Sequence, residues 1–406
     1  MIDMYYPLHS LREGHWFKLI CGASFQHLPA VRNLTLAYTL AGADCIDVAA
    51  DPVVIAAAKD ALQAAGKFAQ VAQAQGFGFR SLPWLMVSLN DGEDPHFRKA
   101  EFDPEACPTD CPRPCESVCP AQAIAFSDSG IAASGVIDRR CYGCGRCIPV
   151  CPQQLIFARS YVYTPEAIAP LIWQSGVDAL EIHTKVGHEA DFKRLWSSIK
   201  PWVGKLKLIA ISCPDGENLL DYLWTLHELM MPLPCALIWQ TDGRPMSGDI
   251  GSGTTRAAVK LGQKVLAANL PGYVQLAGGT NDCTVAKLQS AGLLKDREQG
   301  HGGAGVQQTI DTPQNSFSHY QSLVPNPFIA GVAYGSYARV LLAPVLDELE
   351  KFKGEDVDTN SITNSNPLSH RKLEQVPELL WQAVAQASSL VNQLKLLTPV
   401  PQSVPD

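Results

Sequence analysis

The sequence predicts an α/β fold, a (β/α)8 TIM-like barrel with an inserted cysteine-rich α+β module and a C-terminal helical extension. Three observations lead to this prediction: short apolar runs alternate with amphipathic stretches, there are eight such runs, and one dense group of cysteines lies between the third and the fourth. Such alternation is typical of parallel α/β architecture. With 406 residues, 46% of them hydrophobic, the chain is long enough to bury a large core.

Eight apolar runs have the length and composition of buried parallel strands. In chain order they are residues 17–23, 45–50, 84–89, 179–184, 206–212, 236–241, 273–278 and 329–335. The stretches between them predict helices, because many open at Pro, Thr or Asn and several close near Gly. Eight βα units over about 250 residues are what a TIM barrel needs, although the same alternation also permits a doubly wound open sheet.

Cysteines are concentrated in one segment, since eight of the thirteen lie within residues 107–151. The second of two runs, CYGCGRCIPVCP, has the spacing C-x2-C-x2-C-x3-C-P that bacterial ferredoxins use to hold iron–sulfur cubanes. Its cysteines are Cys141, Cys144, Cys147 and Cys151. Clustered thiols with this spacing indicate metal binding rather than a disulfide framework.

In two-cluster ferredoxins the fourth cysteine of each run binds the other cluster. We therefore expect one [4Fe–4S] cluster on Cys141, Cys144, Cys147 and Cys119. The second cluster would take Cys107, Cys111, Cys115 and Cys151. A weak internal repeat supports this pairing, because CPAQAIAF after the first run and CPQQLIFA after the second share one pattern. The sequence thus predicts a ferredoxin-like module made of two related halves.

The first run departs from the standard spacing, with three residues between its early cysteines. Pro108, Pro112 and Pro114 stiffen this wider loop, because proline fixes φ. Two alternatives stay open: a pair of zinc sites, since C-x2-C pairs also suit tetrahedral zinc, and a [3Fe–4S] centre in the first site.

A phosphate site is a further candidate, because TIM barrels often bind phosphate in the loops after strands seven and eight. Backbone N–H groups of Gly278, Gly279, Gly335 and Ser336 would cradle the anion, which suits a flavin or another phosphorylated cofactor. The alternative is that these glycines only permit tight turns.

Polar residues at predicted strand ends are weaker candidates for ligand contacts, because loops are polar in any case. They are Asn90, His183, Lys185, Asp215, Asp242 and Arg244. The remaining cysteines lie in or beside strands, where a free thiol packs as a small hydrophobe. They are Cys21, Cys45, Cys213, Cys235 and Cys283.

Charge and hydropathy argue against several classes of partner. The net charge is −8, the pI is near 5.7 and no run of five like charges occurs, which argues against nucleic acid or an anionic membrane as a constitutive partner. No secretory leader and no apolar stretch of about 18 residues is evident. We expect a soluble, cytoplasmic protein without integral membrane contact.

We expect four segments along the chain. They are the first part of the barrel (8–99), the ferredoxin-like insert (100–158), the second part of the barrel (159–352, with a mobile loop at 295–327), and a linker with a C-terminal helix (353–406). The last helix is amphipathic, so it packs on the barrel, covers its base or meets a partner.

The ferredoxin run lies between WLMVSLNDGEDPHF and SYVYTPEAIAPLIWQSGVDALEIHT, and the stretch LREGHWFKLICGASFQHLPAV begins at residue 11. In these segments the chain resembles the LdpA family of cyanobacterial light-dependent period proteins, from near residue 8 to about residue 350. The resemblance implies an iron–sulfur protein that reports cellular redox state to the circadian clock and tunes its period with light. It also implies clock partners, KaiA, CikA and SasA, and cluster ligation by the eight cysteines named above.

Two functions therefore compete. In the first, the chain is a redox sensor whose clusters bias a neighbouring loop or interface. In the second, it is an oxidoreductase that passes electrons from the clusters to a flavin or substrate at the barrel mouth. A simple electron carrier would leave the barrel, about 300 residues, unexplained.

Overall fold

The computed structural model describes most of the chain: residues 6–22, 25–92, 97–119, 121–126, 135–141, 143–160, 174–244, 250–295, 325–351 and 371–395. Most of the loop predicted at 295–327 and the linker at 353–370 lie outside these described residues.

Eight parallel strands form a closed barrel. In chain order they are β1 (Trp16–Ile20), β2 (Cys45–Ala49), β3 (Trp84–Asn90), β8 (Ala179–His183), β9 (Leu208–Pro214), β10 (Ala236–Asp242), β11 (Gly272–Ala277) and β12 (Pro325–Tyr334). The strand β1 closes the sheet, because Lys18 is in register with Cys45 of β2 on one side and with Ala333 of β12 on the other. The barrel prediction is confirmed, all eight strands occur where they were expected, and the open-sheet alternative is excluded.

One helix precedes the first barrel strand, most of the others follow barrel strands, and the last lies at the C-terminal end of the described chain. They are α1 (Tyr6–Arg12), α2 (Leu28–Ala41), α3 (Pro52–Ala74), α6 (Glu189–Ile199), α7 (Leu219–Met230), α8 (Thr255–Ala267), α9 (Thr284–Ser290), α10 (Ser336–Lys351) and α11 (Pro377–Lys395). The helix α3 begins where expected because the Asp51 carboxylate accepts hydrogen bonds from the N–H groups of Val53 and Val54. Two short helices, α1 and α9, were not predicted, since neither is long enough to show clear periodicity.

The cysteine-rich segment is inserted after β3 and before β8, which are neighbours in the barrel. It contains β4 (Arg98–Glu101), α4 (Pro114–Val118), β5 (Ile124–Ala125), β6 (Gly135–Val136), α5 (Cys147–Val150) and β7 (Phe157–Ser160). The strands pair antiparallel, β4 with β7 and β5 with β6. Because loops after parallel strands emerge at the carboxyl-terminal face of a barrel, the insert lies on the face where such barrels build active sites.

The C-terminal helix α11 packs on the outside of the barrel against α2 and α10. Near its start, the Trp381 ring stacks on Phe77 with centroids 5.8 Å apart. At its end, the buried Lys395 ammonium binds the Asp44 carboxylate at 2.6 Å. Packing on the barrel is therefore its role in the structure. Among the described residues, no helix combines the length and apolarity needed to cross a bilayer.

The barrel interior is divided into two layers. Its lower part is apolar and includes Trp16, Trp84 and Ile238, with Leu8 and Leu11 of α1 packed against it. The upper part, toward the carboxyl ends of the strands, is lined by buried polar side chains.

Candidate functional site

The thiols of the insert fall into two groups. Burial raises the pKa of Cys107, and the neighbouring thiols Cys111 and Cys151 raise it further. Burial likewise raises the pKa of Cys115, with Cys151 and Cys107 adding to the effect. One group therefore joins three thiols of the first run to the last thiol of the second.

The other group joins the last thiol of the first run to three thiols of the second. Burial raises the pKa of Cys147 to about 12, and Cys144, Cys141 and Cys119 contribute in the same direction. The pKa of Cys144 is also raised by burial, with Cys119 and Cys141 as its thiol neighbours. These proximities match the crossed ligand sets expected from the sequence, although the ligand assignment itself stays a prediction.

The two halves of the insert repeat one local conformation. Ala123 donates its N–H to the Cys119 thiol at 3.2 Å, and Leu155 donates to the Cys151 thiol at 3.4 Å. In each half the donor lies four residues after the cysteine. A third amide, that of Ala100, donates to Cys141 at 3.4 Å. Such donors stabilise thiolate charge, and hydrogen bonds to sulfur also tune the potential of iron–sulfur centres.

Cys151 shows the effect of these donors on a thiol. Burial acts to raise its pKa, but backbone N–H groups at Leu155 and Ile156 outweigh burial, so the pKa is lowered. A thiolate is the form that binds metal. The chemistry of the thiols and amides thus fits iron–sulfur ligation.

An apolar shell surrounds the thiols. Phe102, Ile124 and Ile156 are buried together with Cys115 and Cys147. Such a shell limits water access and lowers the local dielectric, and both affect reduction potential. Within the described part of the chain, no three His, Cys, Asp or Glu side chains converge on one metal ion. A cubane does not need such a convergence, because its four thiolates bind several different iron atoms.

A buried lysine fixes the insert to the barrel. The Lys99 ammonium is 1% exposed and donates to Gln26 Oε1 at 2.8 Å, to the Asp138 carbonyl at 2.9 Å and to Asp138 Oδ2 at 2.8 Å. Gln26, which precedes α2, also donates its backbone N–H to the Arg139 carbonyl at 3.2 Å. Lys99 lies in β4, next to the residue whose amide contacts Cys141.

Sequence reasoning missed an ion-pair network in the barrel interior. The Lys18 ammonium is fully buried, is hydrogen-bonded to Glu181 and lies 3.6 Å from Asp47. Burial acts to lower the pKa of Lys18, but the two carboxylates outweigh it and raise the pKa. A signal was present, because each of these residues is a single charge inside an apolar strand at an inward-facing register position.

The two carboxylates of this network have pKa values shifted in opposite directions. Burial raises the pKa of Asp47 to about 6, although Lys18 acts against it. Burial acts in the same direction on Glu181, but Lys18 and His183 outweigh it and lower its pKa to about 2. Glu181 also accepts hydrogen bonds from Gln240 at 2.6 Å and lies 2.9 Å from His183 Nε2.

His183 connects this network to the segment that leads into the insert. Its ring meets Phe97 edge to face, with centroids 5.3 Å apart. Phe97 directly precedes β4. Asn90 is in register with His183 at the ends of β3 and β8, and its Nδ2 atom is buried with no hydrogen-bond partner among the described residues. The structure thus places two of the predicted strand-end residues side by side.

The other predicted strand-end residues do not converge with them. Asp242 is buried at the end of β10. Asp215 pairs with Lys264 at 2.7 Å on the surface, while Lys185 and Arg244 are exposed.

Charged side chains of both signs lie around the predicted phosphate site. Gly278 and Gly279 have φ values of 65° and 83°, which favour glycine in a tight turn. A Cβ on Gly278 would lie 1.9 Å from Asp242 Oδ1, so a carboxylate packs against this turn. Gly335 and Ser336 adjoin Arg339 instead, whose guanidinium donates to the Cys21 carbonyl and to Ser336 Oγ at 2.9 Å. The Asp242 carboxylate opposes an anion, whereas Arg244 packs against Gly279 and Arg339 lies beside Gly335, so the phosphate site and the tight turn both stay predictions.

The five cysteines outside the insert behave mostly as packing residues. Cys21, Cys45, Cys213 and Cys235 are buried in the cores, whereas Cys283 is partly buried.

Comparison with known proteins agrees with this site. Residues 107–162, which include all eight cysteines, match the family model described as the LdpA Fe-S cluster-binding domain. Residues 171–393 match the light dependent period A C-terminal domain. The chain is also 47% identical over 390 residues to light dependent period A of Synechococcus elongatus, covering 96% of this chain and 94% of the relative. The resemblance seen in the sequence is confirmed, and the chain belongs to the light dependent period A (LdpA) family.

Proposed function

We propose that this chain is an iron–sulfur protein that relays cellular redox state to the circadian clock and thereby sets its light-dependent period. Two [4Fe–4S] clusters would be held in a ferredoxin-like insert, one by Cys107, Cys111, Cys115 and Cys151, the other by Cys119, Cys141, Cys144 and Cys147. The observation that carries the proposal is the division of the eight thiols into two groups that exchange their fourth members.

Two further features support a ferredoxin-like insert. Its elements follow the order strand, helix, strand, strand, helix, strand, which is the ferredoxin-like order. Equivalent amide donors also lie four residues after Cys119 and after Cys151. A bound [4Fe–4S] cluster would supply reversible one-electron exchange.

The polypeptide offers a route from the insert to the barrel. The Ala100 amide contacts Cys141, the neighbouring Lys99 binds Gln26 and Asp138, and Phe97 contacts His183. A change of charge at the thiols would alter the balance of hydrogen bonds around Lys99 first. We propose that this docking contact transmits the redox state to a surface that clock proteins read, with KaiA, CikA and SasA as the proposed partners.

Protein purified without oxygen tests the cofactor. We expect about eight iron atoms and eight sulfides per chain, and two reduced cubanes by EPR after dithionite. Cys144→Ser should lose one centre and destabilise the insert, because metal binding contributes to folding. A zinc-loaded protein without EPR signals would contradict the proposal. For the relay, partners captured from oxidised and reduced protein should differ, and an unchanged set would count against it.

The buried Lys18, Glu181 and His183 network favours a second candidate function, an iron–sulfur oxidoreductase. Titratable groups at the carboxyl end of barrel strands are typical of TIM-barrel active sites. Electrons would then pass from the insert to a flavin or substrate at the barrel mouth. A flavin band in the absorption spectrum of the anaerobic protein would favour this candidate, and iron–sulfur absorption alone would weaken it.

A further inference from the structure

A cavity of about 550 Å³ lies where three parts of the molecule meet. The starts of α2 and α3 form its walls, Arg139 of the insert borders it, and Arg371 and Lys372 from the segment before α11 complete it. Its volume is within the range of sites that bind small molecules. It is separate from the thiols and from the barrel interior.

Part of the cavity lining is apolar. Leu28, Pro29, Val54 and Ala57 line it together with Val53, whose side chain is 58% exposed. Val53 is one of few large hydrophobic side chains with such exposure among the described residues. An exposed apolar side chain inside a concave site indicates a surface that a ligand covers.

Another part of the cavity lining is cationic. Four basic side chains, Arg32, Arg139, Arg371 and Lys372, line the cavity against the carboxylates of Asp51 and Asp60. The carboxylates are engaged, since Asp60 pairs with Arg32 at 2.5 Å and with Lys372 at 3.0 Å.

Asp51 caps α3 and accepts a hydrogen bond from Gln26 at 3.0 Å. Arg139 is exposed and has no ion-pair partner in the part of the chain that the structure describes. Glu374 also pairs with Arg32 at 2.5 Å. Four cations thus face three carboxylates, and the Arg139 guanidinium is available to a ligand.

We propose that this cavity binds an amphipathic organic anion, a ligand with a compact apolar body and one carboxylate, sulfonate or phosphate group. The body covers Val53 and its apolar neighbours, and the anionic group pairs with Arg139. Guanidinium groups suit this role because they bind carboxylate and phosphate oxygens in a bidentate manner. The thiols do not line the site, but Gln26, which belongs to the proposed docking contact, does.

Its position makes the cavity a junction between insert and barrel. Gln26 borders it and is bonded to Arg139, Asp51 and Lys99. A ligand bound here would contact both the barrel helices and the insert, and so would hold the two together.

Two fluorescent probes of similar shape test the proposal. Anilinonaphthalene sulfonate has the required apolar body and anionic group, while phenylnaphthylamine has the same body without charge. We expect the full-length protein to bind the sulfonate about tenfold more tightly than the neutral probe, which is the contribution of one charge-assisted contact. Iron content and circular dichroism confirm that each variant retains its structure.

Substitutions of cavity residues test whether the probes bind in this cavity. Arg139→Glu should weaken the sulfonate about tenfold and leave the neutral probe unchanged, whereas Val53→Asp should weaken both. An acidic residue is compatible with the first turn of α3, so the second variant should fold. The matched controls, Arg256→Glu and Val340→Asp, change exposed residues outside the cavity and should bind both probes as the wild type does. The proposal is overturned if neither probe binds, or if Arg139→Glu and Val53→Asp bind both as the controls do.

Discussion

Gln122 and Gln154 occupy equivalent positions in the two halves of the insert, and both have left-handed backbone conformations, with φ of 47° and 53°. Each lies three residues after a cysteine and donates its backbone N–H to that cysteine's carbonyl at 3.1 Å. In both halves the next amide reaches the thiol. The same turn therefore occurs in each half and directs one amide N–H toward the cysteine sulfur. This shared turn is the structural basis of the repeat seen in the sequence.

Gln154→Gly should stabilise the insert. A left-handed conformation costs a non-glycine residue about 1 kcal/mol, and glycine removes this cost while keeping the amide donor. We expect the apparent melting temperature of the anaerobic protein to rise by about 1–2 °C. Gln153→Gly is the matched control, because Gln153 is not in the left-handed region, and it should be neutral or slightly destabilising. Equal effects of the two substitutions would contradict the strain argument.

Lys395→Met should strongly destabilise the whole fold. Lys395 binds the Asp44 carboxylate, which is 1% exposed and also accepts a hydrogen bond from the Phe17 amide at 2.8 Å. Removing the cation leaves a buried charge without compensation, at a cost of about 3–5 kcal/mol. Denaturant unfolding measures the change, and the double variant Lys395→Met with Asp44→Asn should recover part of it. A loss below about 1 kcal/mol would mean that the pair does not hold α11.

The loss caused by Lys395→Met should depend on pH. Burial already raises the pKa of Asp44 in the folded state, although Lys395 acts against it. Without Lys395 the pKa should rise further, so the folded state binds more protons than the unfolded state, and stability falls as pH increases above about 4. The variant should therefore lose less stability relative to the wild type at pH 5 than at pH 8. If the stability lost by the variant relative to the wild type grows as the pH falls, the predicted direction of the Asp44 pKa shift is wrong.

Glu181→Gln and Asp47→Asn should differ in their effects on stability. The lowered pKa of Glu181 means that its ionised form stabilises the fold above about pH 4.5, and that this contribution is lost toward pH 2. The raised pKa of Asp47 means that its ionisation destabilises the fold as pH rises toward about 6. At pH 7 we expect Glu181→Gln to cost about 3 kcal/mol and Asp47→Asn less than about 1 kcal/mol. Unfolding curves between pH 2 and pH 8 measure both costs. Equal costs would contradict the conclusion that ionised Glu181 stabilises the fold while ionised Asp47 does not.

Lys99→Met should loosen the insert from the barrel. The substitution removes three hydrogen bonds from a buried ammonium and should cost about 1.5–3 kcal/mol locally. Hydrogen exchange in β4 and β7 should become about tenfold faster or more, while the barrel strands remain protected. Lys193→Met changes an exposed lysine of α6 and serves as the control. If exchange in β4 is unchanged, Lys99 does not anchor the insert.

The sequence was sufficient for the barrel because its strands are buried on both faces. Runs such as WLMVSL and LKLIAIS are therefore continuous apolar segments, and their number favoured a barrel, while the closed pairing of the strands excluded the open sheet. The start of α3 could also be predicted, since Asp51 is a favoured N-cap residue and Pro52 is favoured at the first helical position.

Long-range pairing could not be read from the sequence. Lys18, Asp47 and Glu181 are far apart in the chain, and only closure of the barrel brings their charges together. The same holds for Lys395 and Asp44, which meet because α11 returns to the start of β2. The surroundings of Gly278 were hidden for a related reason, because Asp242 reaches this turn from a neighbouring strand.

The crossed pairing of cysteines is the central claim, and iron content of two double variants tests it most directly. Cys119→Ala with Cys144→Ala removes two ligands of one proposed cluster, so about four iron atoms should remain. Cys115→Ala with Cys119→Ala removes one ligand from each, so both clusters should be lost or become labile. If instead the second variant keeps about four iron atoms and the first keeps none, each run holds its own cluster and the account is wrong.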